Sequence, residues 1–110
     1  RVVDIYFASK KLEKLCSDSR EAVKVLGADS ARKLRGRLAD LQAADTVSEL
    51  VVGRPHPLTG NRAGQFALDL AGGQRLVFQP KRAGASKAPT APDWKRVTAV
   101  EIIFIGDYHD

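Results

Sequence analysis

The sequence predicts an α+β fold in the order β-α-α-β-β-β, a small and mostly antiparallel sheet with helices packed on one face. Three observations predict it. Apolar residues recur at helical spacing through the first half, from Leu12 to Leu41. The period then changes to strand alternation around a Gly72-Gly73 turn. Finally, the apolar run Val100-Glu101-Ile102-Ile103-Phe104-Ile105 mixes both parities, as a strand buried on both faces does. Strands and helices that segregate along the chain make helices against an antiparallel sheet the natural layering.

Val2 to Phe7 is β-branched or aromatic at most positions and opens the fold as a strand. Ser9 offers an N-cap to a helix carrying Leu12, Leu15, Cys16, Ala22, Val23 and Leu26. A break is expected at Ser17-Asp18-Ser19, and Gly27 is the stop. Asp29 or Ser30 can cap a second helix whose apolar stripe is Ala31, Leu34, Leu38 and Leu41. The run Arg32, Lys33, Arg35 and Arg37 reads as its solvated face. Thr46-Val47-Ser48-Glu49 fits a capping box and predicts a short third helix or helical extension. A loop from Gly53 to Gly64 follows. The strand Gln65 to Leu70 places Phe66, Leu68 and Leu70 on one face, and its partner runs from Gln74 to Gln79, ended by Pro80. Residues 81–92, rich in Ala, Gly, Lys, Ser and Pro, read as a mobile solvated loop. Trp94 anchors the chain before the last strand, Val97 to Ile105.

A length of 110 residues suits one domain, 1–110, with one modest core. Hydrophobic residues at 44% and charged residues at 28% exclude wholesale disorder, and no apolar run approaches membrane-spanning length. Asp4 interrupts the apolar start, so no signal peptide is expected there, and a single cysteine, which cannot form an internal disulfide, is the usage expected of a reducing cytoplasm. No Met occurs, so a residue or more is expected upstream of Arg1. Cys16 is the single cysteine and reads as a small buried hydrophobe.

Charge is unevenly distributed. Residues 1–50 hold ten basic and eight acidic side chains, whereas residues 51–100 hold eight basic and two acidic ones. The net charge of +5 therefore comes from the second half, which also holds both histidines. Such a surface favours a polyanionic partner such as nucleic acid. One cysteine and two histidines make no zinc-type cluster, and there is no phosphate-binding glycine loop or nucleophile elbow. No metal or cofactor is expected.

The remaining polar constellation is His56, Arg62, Gln65, Arg75, Asp107, Tyr108 and His109. Arg75 has the opposite parity to Leu76 and Phe78, so it should face the open side of the sheet. Asp107 to His109 leave the end of the last strand, where a rigid support meets solvent. Metal-free RNA cleavage needs a base for the 2′-hydroxyl, an acid for the departing 5′-oxygen, and cations for the phosphorane. Imidazole can fill either proton-transfer role, and guanidinium forks match phosphate.

The segments His56-Pro57-Leu58-Thr59-Gly60-Asn61-Arg62-Ala63-Gly64-Gln65-Phe66-Ala67-Leu68, Gln74-Arg75-Leu76-Val77-Phe78 and Asp107-Tyr108-His109 resemble the HigB-type toxins of the RelE/ParE superfamily. The likeness extends to the opening strand and Phe7-Ala8-Ser9-Lys10-Lys11-Leu12. It implies a RelE-like compact microbial-ribonuclease fold and a ribosome-dependent, metal-independent mRNA endoribonuclease acting in the A site. It also implies a neighbouring helix-turn-helix, HigA-like antitoxin. By position, His109, Tyr108, Asp107, Arg75 and His56 match catalytic places. Arg62, Gln65 and Arg54 match substrate-binding ones. Asp107 would orient His109, and Tyr108 would stack on or hydrogen-bond the RNA; which group is base and which is acid stays open. Thr59 stands where a Lys or Ser is frequent. The alternatives are a ParE-like DNA gyrase inhibitor and a catalytically inactive antitoxin-binding module.

Overall fold

The computed structural model describes residues 3–81 and 92–107. Tyr108 and His109, and the loop expected at 81–92 apart from Lys81 and Pro92, lie outside the described residues. The elements are β1 (Asp4–Phe7), α1 (Lys10–Ser17), α2 (Ser19–Leu26), α3 (Ala28–Ala43), β2 (His56–Pro57), β3 (Phe66–Asp69), β4 (Arg75–Pro80) and β5 (Ala99–Gly106), with 3-10 turns at Val47–Glu49 and Gly60–Arg62. The sheet order is β1-β5-β4-β3-β2, antiparallel throughout except for the β1–β5 pair. The α+β class and the layering match the sequence expectation.

The predicted break in the first helix is real. Ser9 Oγ accepts from Leu12 N at 3.2 Å to start α1, and Asp18 Oδ1 accepts from Arg20 N and Glu21 N to start α2. Gly27, at φ +91°, turns the chain into α3. The expected cap on α3 is corrected, because neither Asp29 nor Ser30 caps it. Ser30 is buried, and its hydroxyl donates to Ala71 O (3.2 Å) and accepts from Ala71 N (3.1 Å). The serine serves the β3–β4 turn instead, tying α3 to the sheet. Its partner turn is the predicted one: Gly72 and Gly73 both have positive φ, and Gln74 N donates to Ala71 O at 3.1 Å. The third helix is reduced to a 3-10 turn. Glu49 Oε1 reaches back to Asp45 N (3.1 Å), while the Thr46 hydroxyl meets Ser48 rather than capping.

Strand β2 was not expected. It is a two-residue edge strand pairing His56 with Ala67 and Pro57 with Phe66, and an edge is where a sheet tolerates proline. The expectation that the last strand is buried on both faces is also corrected. β5 lies between β1 and β4, yet only Val100 and Ile102 in it are fully buried. Its register on β4 runs Val77↔Phe104 and then Phe78↔Ile102, so Ile103 is the extra residue of a bulge. The bulge, not double burial, explains apolar residues of both parities. Leu34 and Leu41 of α3 pack on Leu68, Leu76, Phe78, Val100 and Ile102 to form the core. Trp94 closes one end against Phe66, with ring centroids 4.7 Å apart. Among the described residues no helix is long and apolar enough to cross a membrane.

Candidate functional site

Because the helices cover one sheet face, strand alternation sends the other parity to the open side. Asp69 and Arg75 are cross-strand partners on β3 and β4, out of phase with the core residues Leu68 and Leu76. Arg75 therefore faces the open side as its parity predicted. Its Nε lies 3.2 Å from Asp69 Oδ1. A second guanidinium reaches the same carboxylate, with Arg54 Nε donating to Asp69 Oδ2 at 2.8 Å. A third group holds the backbone, since Arg37 Nε of α3 donates to Asp69 O at 3.1 Å.

Local backbone geometry delivers Arg54. Gly53 has φ +92° and Arg54 φ +50°, the one positive φ at a non-glycine position among the described residues. Gly53 O accepts from Asp69 N at 2.6 Å, which fastens this turn to the end of β3. His56 follows, and its Nδ1 donates to Arg54 O at 2.7 Å. A carbonyl can only accept, so Nδ1 carries the proton and Nε2 is the atom left for proton exchange. Burial by itself would raise the Asp69 pKa. The Arg54 hydrogen bond and the charges of Arg54, Arg75 and His56 outweigh it and hold the carboxyl below its ordinary range. Asp69 is therefore an anion at neutral pH, set among an excess of positive charge.

A second cluster adjoins the first. The 3-10 turn Gly60–Arg62 positions Arg62, whose Nη1 donates to Gln65 Oε1 at 3.2 Å. Its Cζ lies 5.2 Å from the centroid of Phe104 on β5. The Phe104 ring extends toward Gly106, where an added Cβ would lie 3.4 Å from it, and Gly106 pairs with Arg75. Arg62 and Arg75 thus stand on the same open face, with Phe104 between them.

Of the residues the sequence proposed, the structure gathers Arg54, His56 and Arg75 around Asp69, and sets Arg62, bonded to Gln65, over Phe104. Asp107 lines a cleft with the Gly72 turn and with Gly27, Ala28 and Ser30 at the start of α3, its carboxylate beside Gly73. Tyr108 and His109 lie outside the described residues. Two contributors were missed as site residues. Asp69 could have been found from the hairpin register, since a turn at Gly72-Gly73 sets it opposite Arg75. Arg37 could not, because it reads as one more cation of a solvated face. Arg32 in that run does stay exposed, paired with Asp29 at 3.1 Å, but Arg37 is half-buried against the sheet.

Burial pushes the Cys16 thiol up to about 12, so it is neutral and a poor nucleophile at physiological pH. No group of three or more His, Cys, Asp or Glu side chains able to hold a metal ion occurs among the described residues. What the open face can do is bind an anion with several guanidiniums and exchange a proton at the His56 imidazole.

No protein-family model matches the sequence, and no curated protein matches it. Solved structures do match in three dimensions. The YoeB/ParE toxin from Agrobacterium tumefaciens aligns over 97% of this chain and all of its own, at 14% identity and a TM-score of 0.59. The YoeB dimer from Staphylococcus aureus aligns over the whole of both chains at 15% identity and a TM-score of 0.59. The YoeB-YefM complex from Staphylococcus aureus does so at 15% and 0.57. At such low identity the likeness is one of fold. The chain has the α+β fold of the YoeB/ParE-type toxins.

Proposed function

We propose that this chain is the toxin of a type II toxin–antitoxin pair, a HigB-type member of the RelE/ParE superfamily that cleaves mRNA in the ribosomal A site without a metal. The observation that carries the reading is the open sheet face, where Arg54 and Arg75 flank Asp69 and Arg62 lies over Phe104. Several fixed cations beside an imidazole suit a phosphodiester and its phosphorane transition state better than an uncharged ligand. The fold shared with YoeB/ParE-type toxins supports the same assignment.

In this reading a base removes the 2′-hydroxyl proton, and the freed oxygen attacks the adjacent phosphorus. The P–O5′ bond breaks, leaving a cyclic phosphate, and an acid protonates the departing oxygen. His109 and His56 divide these two proton roles. Arg75 and Arg54 hold the non-bridging oxygens, Arg62 and Gln65 bind neighbouring RNA, and Tyr108 stacks on or hydrogen-bonds a nucleotide. Asp107 orients His109. The partners are mRNA on the ribosome in the cytoplasm and a cognate helix-turn-helix, HigA-like antitoxin. A solved YoeB-YefM complex of the same fold supports an antitoxin partner.

The test compares wild type with His109→Ala in a reconstituted translation system, mapping mRNA ends by primer extension. Cuts within A-site codons that require ribosomes and disappear in the variant are expected. Intact mRNA with the wild-type protein overturns the reading, and a supercoiling assay then tests gyrase inhibition.

A further inference from the structure

The Asp69 network offers more than two phosphate-binding arginines. We infer that Asp69 is a positioning residue: its carboxylate aims the guanidiniums of Arg54 and Arg75 at an RNA phosphate, and Arg37 fixes the Asp69 backbone that carries it. The inference rests on the ribonuclease reading of the same face.

Four observations support it. One carboxylate bridges the two guanidiniums: Arg54 Nε donates a hydrogen bond to Oδ2 at 2.8 Å, and Arg75 Nε makes an ion-pair contact with Oδ1 at 3.2 Å without hydrogen-bond geometry. An arginine on a sheet surface otherwise samples many rotamers, and fixing Nε fixes the plane of the fork. Arg54 remains 64% exposed although its Nε is held, so the rest of its fork can reach an external anion. The fold also keeps Arg54 in a left-handed backbone conformation that a non-glycine residue avoids, and that conformation brings the side chain to Asp69. Finally, Asp69 is itself held on both sides of its peptide unit, by Gly53 O at its N–H and by Arg37 Nε at its carbonyl. Each guanidinium keeps its full charge, and one carboxylate against two of them leaves net positive potential on the face.

This arrangement separates aim from attraction. Removing the Asp69 charge makes the face more positive, which favours polyanion binding, while freeing both forks to wander, which disfavours the transition state. Asp69→Asn is therefore expected to lower the single-turnover cleavage rate on the ribosome by about 10–100-fold. Its affinity for a 2′-O-methyl RNA oligonucleotide, which cannot be cut, stays within threefold of wild type or tightens. Arg54→Lys keeps the charge without the Nε donor and should lower the cleavage rate as well, with Asp69 and Arg75 untouched.

A rate within threefold of wild type for Asp69→Asn, or rate and affinity falling together in that variant, overturns the inference. NMR exchange of the arginine Nε–H protons on the same proteins needs no cleavage. Slow exchange at Arg54, whose Nε–H is hydrogen-bonded to Asp69, is expected in wild type and is lost in Asp69→Asn. Fast exchange in wild type overturns the positioning role even if RNA is cut. Wild-type protein that cuts nothing while showing slow exchange overturns only the ribonuclease reading.

Discussion

Gly53→Ala is the substitution that best tests how helix α3 is coupled to the candidate site. Gly53 has φ +92°, so any side chain there is strained, by about 1–2 kcal/mol for an L-residue forced into a left-handed conformation. Space is also lacking. A Cβ at Gly53 would overlap Arg37 Nε and lie 2.9 Å from its Cδ. Arg37 must therefore swing away, giving up its donation to Asp69 O. A charged hydrogen bond in a half-buried place is worth about 1.5 kcal/mol. Alanine narrows the unfolded ensemble and returns about 0.4–1 kcal/mol. The net expectation is a loss of about 2 kcal/mol, arising from the strain and the displaced arginine together.

Gly72→Ala is the internal control. Gly72 has φ +62° with nothing within 4 Å of an added Cβ, so only the backbone contribution of about 1 kcal/mol remains. Urea unfolding of the three proteins, compared at equal m-values, measures both differences. A Gly53→Ala loss no greater than that of Gly72→Ala would refute the argument that Arg37 packs on this turn.

Two further outcomes follow from the same contacts. Asp69 has a folded pKa below its ordinary value of 3.8, so its contribution to stability is fully present above the unfolded value. It is lost as pH falls through the folded one. The stability difference between wild type and Asp69→Asn should hold steady from pH 7 to about pH 5 and shrink below pH 4; a difference that grows on acidification contradicts the assignment. Ser30→Ala removes the hydroxyl that serves both polar groups of Ala71. Thermal unfolding should report a loss of about 1–3 kcal/mol, the cost of stranding a buried backbone group, and an unchanged midpoint would show that water replaces the hydroxyl.

Much of the fold was legible because it depends on local chemistry. Ser9 and Asp18 cap where their side chains can reach the next amides, and Gly72-Gly73 turns because both glycines tolerate positive φ. The failures share one cause. Ser30 reads as a cap, Arg37 as a solvated cation and the apolar run in β5 as a doubly buried strand, since sequence spacing does not show what lies across the tertiary contact. Ser30 found Ala71, 41 residues away, and Arg37 found Asp69, 32 residues away. The bulge at Ile103 is a property of pairing with β4 and leaves no local sign. At the site, parity assigned Arg75 to the face away from the helices and the Gly72-Gly73 turn sets Asp69 opposite it, but neither shows that Arg54 and Arg37 also reach Asp69.

The sequence by itself determined the α+β class, the split first helix, the β3–β4 hairpin, the basic second half and the side of the sheet on which Arg75 stands. These follow from periodicity, capping, turn chemistry and charge, all of which act over a few residues. Only the tertiary structure decided that Arg37 and Arg54 join Arg75 on Asp69, that Arg62 lies on Phe104, and that Asp107 turns to the α2–α3 cleft. Those contacts join residues far apart in the chain. Their geometry is set by how α3 packs on the sheet and by the positive-φ turn at Gly53-Arg54, which spacing along the chain does not encode.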